Sequence, residues 1–117
     1  MRGYGNAAKL AARIPNFILS EYVEPELAAI WDYIAFDNID AADRFLEAAY
    51  GTFLELARMP GMGRARRFPQ ARLRNLRSFR VAGFENYLIF YAETQSGIEV
   101  FHLIHATRDL EGFWGPG

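Results

Sequence analysis

Two histidines, an arginine and an aspartate lie within the eight-residue segment "HLIHATRD", residues 102–109. Imidazole titrates close to neutral pH, so His102 and His105 are candidates for acid–base chemistry or for metal binding. Their spacing argues against both. Alternate side chains of a strand point to opposite faces, which separates the two rings unless a bulge breaks the register. We therefore predict no metal site, no bound cofactor, and a satisfied His102 in the core or half-buried.

A run of arginines without any acid is the second candidate functional segment of the sequence. Seven arginines and no Asp or Glu fall between residues 64 and 80, whereas eight acids and one base fall between residues 21 and 47. The arginines are Arg64, Arg66, Arg67, Arg72, Arg74, Arg77 and Arg80. Such a single-sign run predicts contact with an anion, through the bidentate contacts that guanidinium makes to phosphate or carboxylate. The sequence leaves open whether that anion is nucleic acid or an acidic protein.

The composition indicates one folded domain. The 117 residues are 51% hydrophobic and include ten Phe, six Tyr and two Trp, which excludes a disordered chain. The absence of cysteine excludes a disulfide framework, a thiolate nucleophile and a zinc finger, and favours a reducing, cytoplasmic setting. No apolar run is long enough to span a membrane. We predict a flexible leader at residues 1–16, a domain at 17–110 and a tail at 111–117.

Changes of hydrophobic period predict the elements that position these residues. A short apolar run at 16–20 predicts a strand, and a stripe spaced for a helix follows, with Pro25 in its first position and Asn38 at its end. Asp40 is expected to cap a second helix. Alternating segments then predict strands over 74–81, 86–93 and 98–106, with a hairpin turn at 94–97. The order is β-α-α-β-β-β, an α+β fold with a helical hairpin on a mainly antiparallel four-stranded sheet.

Five segments in this order carry a family resemblance: "LAAIWDYIAFDNIDAADRF", "LARMPGMG", "LR" before a strand, "YLIFY" and "IEVFHLIHATRDL". Together they resemble the RelE/ParE superfamily of bacterial type II toxins, and its ParE branch more closely. The resemblance covers residues 17–110. It implies a toxin that inhibits DNA gyrase by binding and is neutralised by a ParD-like antitoxin in a hetero-oligomer. DNA would be reached through the gyrase complex.

The RelE branch offers the main alternative, a ribosome-dependent mRNA endonuclease. Cleavage needs groups that activate a 2′-hydroxyl, stabilise a phosphate and protonate the leaving oxygen. RelE-like enzymes often use lysines, but the single lysine here, Lys9, lies in the predicted leader. Arginine stays protonated and is a poor base. We therefore predict a protein that is not an enzyme; a nuclease would have to use His105, Arg80 and Arg108. A further alternative is a non-toxic relic that only binds an antitoxin.

Two partner surfaces follow from the resemblance and from the charge pattern. The apolar face of the helical hairpin is wider than packing against the sheet alone requires, so part of it can bind a partner. The arginine run is suited to the carboxylates of the antitoxin. The predicted antitoxin-binding residues are Trp31, Ile34, Phe45, Phe53, Arg72, Arg74, Arg77 and Arg80. The exit of the last strand is the predicted target surface. Its residues are His105, Arg108, Asp109, Phe113 and Trp114. A local turn for the Arg-Asp pair and docking of the tail aromatics on the domain are the structural alternatives.

Overall fold

The computed structural model describes residues 16–67 and 75–107. Two helices pack on one face of a five-stranded sheet with the order β1-β5-β4-β3-β2. In chain order the elements are β1 (Asn16–Leu19), α1 (Val23–Ala35), α2 (Ile39–Arg58), a 3-10 turn (Pro60–Met62), β2 (Arg64–Ala65), β3 (Arg77–Val81), β4 (Phe84–Thr94) and β5 (Gly97–His105). β1 runs parallel to β5, and the other pairs are antiparallel. The predicted α+β class, with a helical hairpin on a mainly antiparallel sheet, is confirmed.

The predicted strand count was one too low. β2 contains only two residues, paired with Arg77 and Ser78 of β3. Two residues cannot show a period of two, so this strand leaves no signal in the sequence. The predicted hairpin turn is confirmed, since β4 ends at Thr94 and β5 begins at Gly97.

The helix boundaries also differ from the predicted ones. α1 begins at Val23, which makes Pro25 its third residue; proline is tolerated there because the first-turn N–H groups lack helical acceptors. α1 ends at Ala35 instead of Asn38. Asn38 is extended and caps α2, its side chain accepting a hydrogen bond from the Ala41 N–H at 3.0 Å. Asp40 therefore lies within the first turn, where its charge favours the positive end of the helix.

The main core fills the space between the helices and the sheet. Phe45, Phe53 and Leu56 of α2 are fully buried against Ile89 and Tyr91 of β4, with other apolar side chains of β5 around them. A smaller apolar cluster lies on the opposite, helix-free face of the sheet; it contains Leu76, Leu88, Phe90 and Ile104. The sheet is thus covered by helices on one face only, and the two faces differ in composition.

β1 is held by residues far along the chain. Its pairing with β5 begins at Asn16 opposite Gly97, where an added Cβ would overlap the carbonyl group of Asn16, so only glycine permits the approach. The Ser20 hydroxyl then donates to the Phe101 carbonyl at 2.7 Å. This contact anchors the connection from β1 to α1 on the sheet. No helix in the described part of the chain has the length and apolar character needed to cross a bilayer.

Candidate functional site

His102 is a satisfied, buried histidine, as predicted. Its Nδ1 lies 2.7 Å from Oε2 of Glu26, and its ring stacks on Tyr22 at 5.0 Å between centroids. Oε1 of Glu26 accepts the backbone N–H of Leu103 at 2.8 Å. Glu26 therefore meets β5 just beyond the point where β1 ends, and one carboxylate satisfies two polar groups there. Sequence reasoning missed this partner because 76 residues separate it from the histidine.

His105 occupies a different setting. Its Nδ1 lies 2.8 Å from the Thr107 hydroxyl, and its ring contacts Tyr87 edge-on at 5.2 Å. The register from Tyr87↔His105 to Phe90↔His102 is unbroken, and the bulge lies beyond it, between Phe90 and Tyr91. The two histidines thus keep opposite parity on β5, as predicted. Within residues 16–67 and 75–107, no group of three or more His, Cys, Asp or Glu side chains is placed to bind a metal ion.

A shallow pocket lies beside His105. It has a volume of about 280 Å³ and is open to solvent between α1 and the ends of β4 and β5. Its lining is mostly apolar and aromatic, with one carboxylate and one imidazole: Glu26, Ala29, Ile30, Tyr33, Tyr87, Leu103, Ile104 and His105. Burial is the main cause that raises the pKa of Tyr87, followed by the charge of Tyr33. The phenol of Tyr87 is therefore neutral at physiological pH, and the pocket offers a place for one aromatic or aliphatic side chain.

The sheet register divides the arginine run between two faces. Arg64 lies opposite Ser78, which lies opposite Phe90, so this row belongs to the helix-free face. Arg80 lies opposite Leu88 in the next row of the same face. Arg77 has the other parity and lies opposite Tyr91 of the main core. Arg77 and Arg80 are both predicted antitoxin-binding residues, and the register places them on opposite faces of the sheet, because residues three apart on a strand face opposite sides.

Arg77 forms a hydrogen bond within the fold. Its guanidinium donates to the Gly63 carbonyl at 2.7 Å. The same turn is held by Tyr91, whose hydroxyl accepts the Gly63 N–H at 2.8 Å and donates to the Pro60 carbonyl at 2.6 Å. Burial raises the pKa of Tyr91 above its ordinary value, so the phenol stays a donor. Arg77 and Tyr91 together fix the turn that follows α2.

Arg66 contacts two residues of the helix-free face. Its Nε donates to the Ser78 hydroxyl at 2.7 Å, and its guanidinium lies 5.8 Å from the centre of the Phe90 ring. Burial lowers the pKa of Arg66, and the neighbouring charges of Arg64 and Arg80 lower it further. Among the described residues, the contact between His102 and Glu26 is the only one within ion-pair distance, so no described carboxylate pairs with these three arginines. A like-charged cluster of this kind is suited to an anion.

The helical hairpin carries its own groove, lined only by residues of its two helices. Trp31 lies in it and donates from Nε1 to Oδ1 of Asp43 at 3.0 Å. The groove has a volume of about 480 Å³ and is lined by Glu24, Leu27, Ala28, Trp31, Asp32, Leu46 and Tyr50. Ile34 is only partly buried and packs against the main core. Phe45 and Phe53 are fully buried between helix and sheet, so the prediction that they contact a partner was wrong.

Exposed apolar residues at the tip of the hairpin were missed. Tyr33, Phe36 and Ile39 are 76%, 91% and 60% exposed. Tyr33 lies outside the buried stripe of α1, Phe36 follows the end of that helix, and Ile39 begins α2. The departure of these apolar residues from the helical period was the available signal. The remaining predicted site residues lie outside the described part of the chain: Arg72, Arg74, Arg108, Asp109, Phe113 and Trp114.

Comparison with known proteins agrees with the fold. A family model described as the ParE toxin of a type II toxin–antitoxin system matches residues 17–110. A solved structure described as a chromosomal ParDE TA system from P. aeruginosa aligns with a TM-score of 0.61 at 12% identity, covering 80% of this chain and 97% of that one. No curated protein matches the sequence. The matched family is one of toxins and not of enzymes, in line with the prediction for this chain. The chain belongs to the ParE toxin family of type II toxin–antitoxin systems.

Proposed function

We propose that this toxin acts in the cytoplasm by binding DNA gyrase and is silenced by a ParD-like antitoxin in a hetero-oligomer. The family match over residues 17–110 is the observation that carries this proposal. Two features of the site support it. The two histidines lie on β5 with opposite parity and have separate partners, and the arginines provide charge without a general base.

The outer groove of the hairpin is the proposed seat of the antitoxin. It is mainly apolar, it is open along both helices, and Trp31 is held in place by Asp43. Glu24 and Asp32 line it as well, so a complementary partner presents an amphipathic helix with basic residues beside its apolar stripe. A tryptophan that lines a groove is the kind of side chain that dominates binding energy at interfaces.

Titration calorimetry with the antitoxin tests this surface. Trp31→Ala should weaken binding by about 2 kcal/mol or more, as expected for an aromatic anchor. Tyr33→Ala is the matched control, because this exposed aromatic residue of the same helix does not line the groove. Equal binding by wild type and Trp31→Ala would place the antitoxin elsewhere.

The exit of β5 is the proposed target surface. His105 lines the pocket beside α1 and leads into the segment that contains Arg108, Asp109, Phe113 and Trp114. We expect DNA to be reached through the gyrase complex formed by this surface. The proposal predicts that antitoxin-free protein inhibits supercoiling by gyrase and traps cleaved DNA.

The gyrase assay is sharpest with two variants. His105→Ala should reduce trapping, whereas Gln95→Ala, in the exposed turn at the opposite end of the β4–β5 hairpin, should not. Neither inhibition nor trapping by the wild type would contradict gyrase as the target. Primer extension on cellular mRNA provides the other readout. Codon-positioned cuts that disappear in His105→Ala would identify a ribosome-dependent nuclease instead.

A further inference from the structure

We propose that the helix-free face of the sheet binds the sugar–phosphate backbone of duplex DNA through Arg64, Arg66 and Arg80. This activity goes beyond the proposed function and requires neither gyrase nor antitoxin. Arg64 and Arg80 share this face by register, and Arg66 lies on it through its contacts with Ser78 and Phe90. The three side chains line one groove of about 540 Å³ at the β2–β3 side of the sheet, which continues around the sheet edge to Glu55 of α2.

The charge of this groove is not neutralised by the described protein. Glu55 and Glu85 also line it, but neither lies within ion-pair distance of an arginine in that part of the chain. Arg80 donates to the backbone carbonyl of Glu85, not to its carboxylate. Three guanidinium groups that repel one another reduce the stability of the fold unless an anion joins them. A phosphodiester supplies that anion and accepts bidentate hydrogen bonds from arginine.

Arg66 is positioned before any ligand arrives. Its contacts with the Ser78 hydroxyl and the Phe90 ring fix a side chain that otherwise has many rotamers. Ser78 is itself only 4% exposed, so this support is rigid. Because folding already restricts this side chain, less conformational entropy is lost when a ligand binds to it.

One observation favours duplex over single-stranded nucleic acid, and a second separates this surface from the groove proposed for the antitoxin. The large exposed apolar side chains of the described chain lie on β1, the helices and their connections, and β3, β4 and β5 carry none. The arginine face thus lacks the stacking platforms that single-stranded nucleic acid uses. The hairpin groove proposed for the antitoxin is lined by residues of the two helices and shares no lining residue with the arginine groove. The arginine face remains open when that groove is filled.

Fluorescence anisotropy with a labelled DNA duplex tests the proposal on the full chain alone. Three phosphate contacts predict a log–log salt slope of about −2.7, or roughly 40-fold weaker binding at 200 mM than at 50 mM salt. Arg64→Gln and Arg80→Gln should each reduce the magnitude of the slope by about 0.9. Arg44→Gln, on the exposed side of α2, should change nothing. Glu85→Gln removes a negative charge from the groove and should tighten binding.

Four results would overturn the proposal. The first is no duplex binding at the lowest salt, and the second is a slope that Arg64→Gln and Arg80→Gln leave unchanged. The third is tighter binding of the single strand than of the duplex. The fourth is a glutamate-rich peptide that displaces the duplex at equal charge concentration, which would assign the arginines to an acidic protein. Thermal melting of each variant verifies that it is folded. Because gyrase is absent from the assay, a negative result leaves the gyrase proposal untouched.

Discussion

The two faces of β3 use the same residue type in opposite ways. Arg77 faces the helices, and its charge is directed to a backbone carbonyl that closes the turn after α2. Arg80 faces away from them and lies near Arg64 and Arg66, whose charges no described carboxylate offsets. On the first face a cation stabilises the fold. On the second face three cations repel one another, which lowers the stability of the fold. The difference supports the proposal that the helix-free face binds an anionic ligand.

The largest expected effect comes from removing a core side chain on the helix-covered face of the sheet. Phe53→Ala removes a fully buried ring that also packs against Phe17 and Tyr50. We expect a loss of about 3–5 kcal/mol in the free energy of unfolding, measured by urea denaturation. The neighbouring Leu54 is 46% exposed, and Leu54→Ala should cost far less. Similar losses for the two variants would contradict the assignment of the core.

Tyr91 tests the polar part of the same face. Tyr91→Phe removes the donor to the Pro60 carbonyl and the acceptor for the Gly63 N–H, leaving two polar backbone groups without this partner. The expected loss is about 1–3 kcal/mol. Tyr33→Phe is the control, since its ring is 76% exposed. An unchanged midpoint for Tyr91→Phe would show that the turn is held without the phenol.

Alkaline pH provides an independent measure of this contact. The folded protein has a raised Tyr91 pKa because burial disfavours the phenolate. The resulting stability is present below the ordinary tyrosine pKa of about 10 and is lost as the pH rises through the folded value. The free energy of unfolding of the wild type should therefore fall above about pH 10, and Tyr91→Phe should show a smaller fall. Tyr87, whose pKa is also raised, accounts for the remainder.

The smallest effect is the most direct test of the contrast. Arg77→Gln should cost about 1 kcal/mol, because the Gly63 carbonyl loses its donor in a partly buried site. Arg80→Gln, at an exposed position, should stay within about 0.5 kcal/mol of the wild type. In the duplex-binding assay the order should reverse, with Arg80→Gln the more harmful. If Arg77→Gln were the more harmful variant both for stability and for duplex binding, the two faces would not differ in function.

Local sequence patterns predicted the elements of this fold but not its long-range contacts. The apolar stripe of α1 and the turn between Thr94 and Gly97 are local, so composition and period reveal them. The capping of α2 by Asn38 instead of Asp40 depends on where the backbone becomes extended, and both residues are good caps. The mistaken grouping of Phe45 and Phe53 with an open groove arose because a buried stripe and a docking stripe have the same period.

The site was less predictable because its contacts join distant residues. Strand alternation gave the parity of the two histidines correctly, since the bulge of β4 and β5 lies outside their pairs. The same rule would have separated Arg77 from Arg80 had it been applied to the arginine run. No local pattern, however, could pair Glu26 with His102, or place Arg66 over Phe90, because β-sheet register decides both.

The parallel pairing of β1 with β5 has a consequence for synthesis. Ser20, just after β1, and its hydrogen-bonding partner Phe101 are separated by 81 positions. At roughly 5–20 residues per second, a ribosome needs about 4–16 s to cover that distance. During this interval the helical hairpin has been made, but the strand that orders β1 has not. The nascent chain is therefore an incomplete toxin whose apolar helix faces are open to chaperones or to an antitoxin already in the cell.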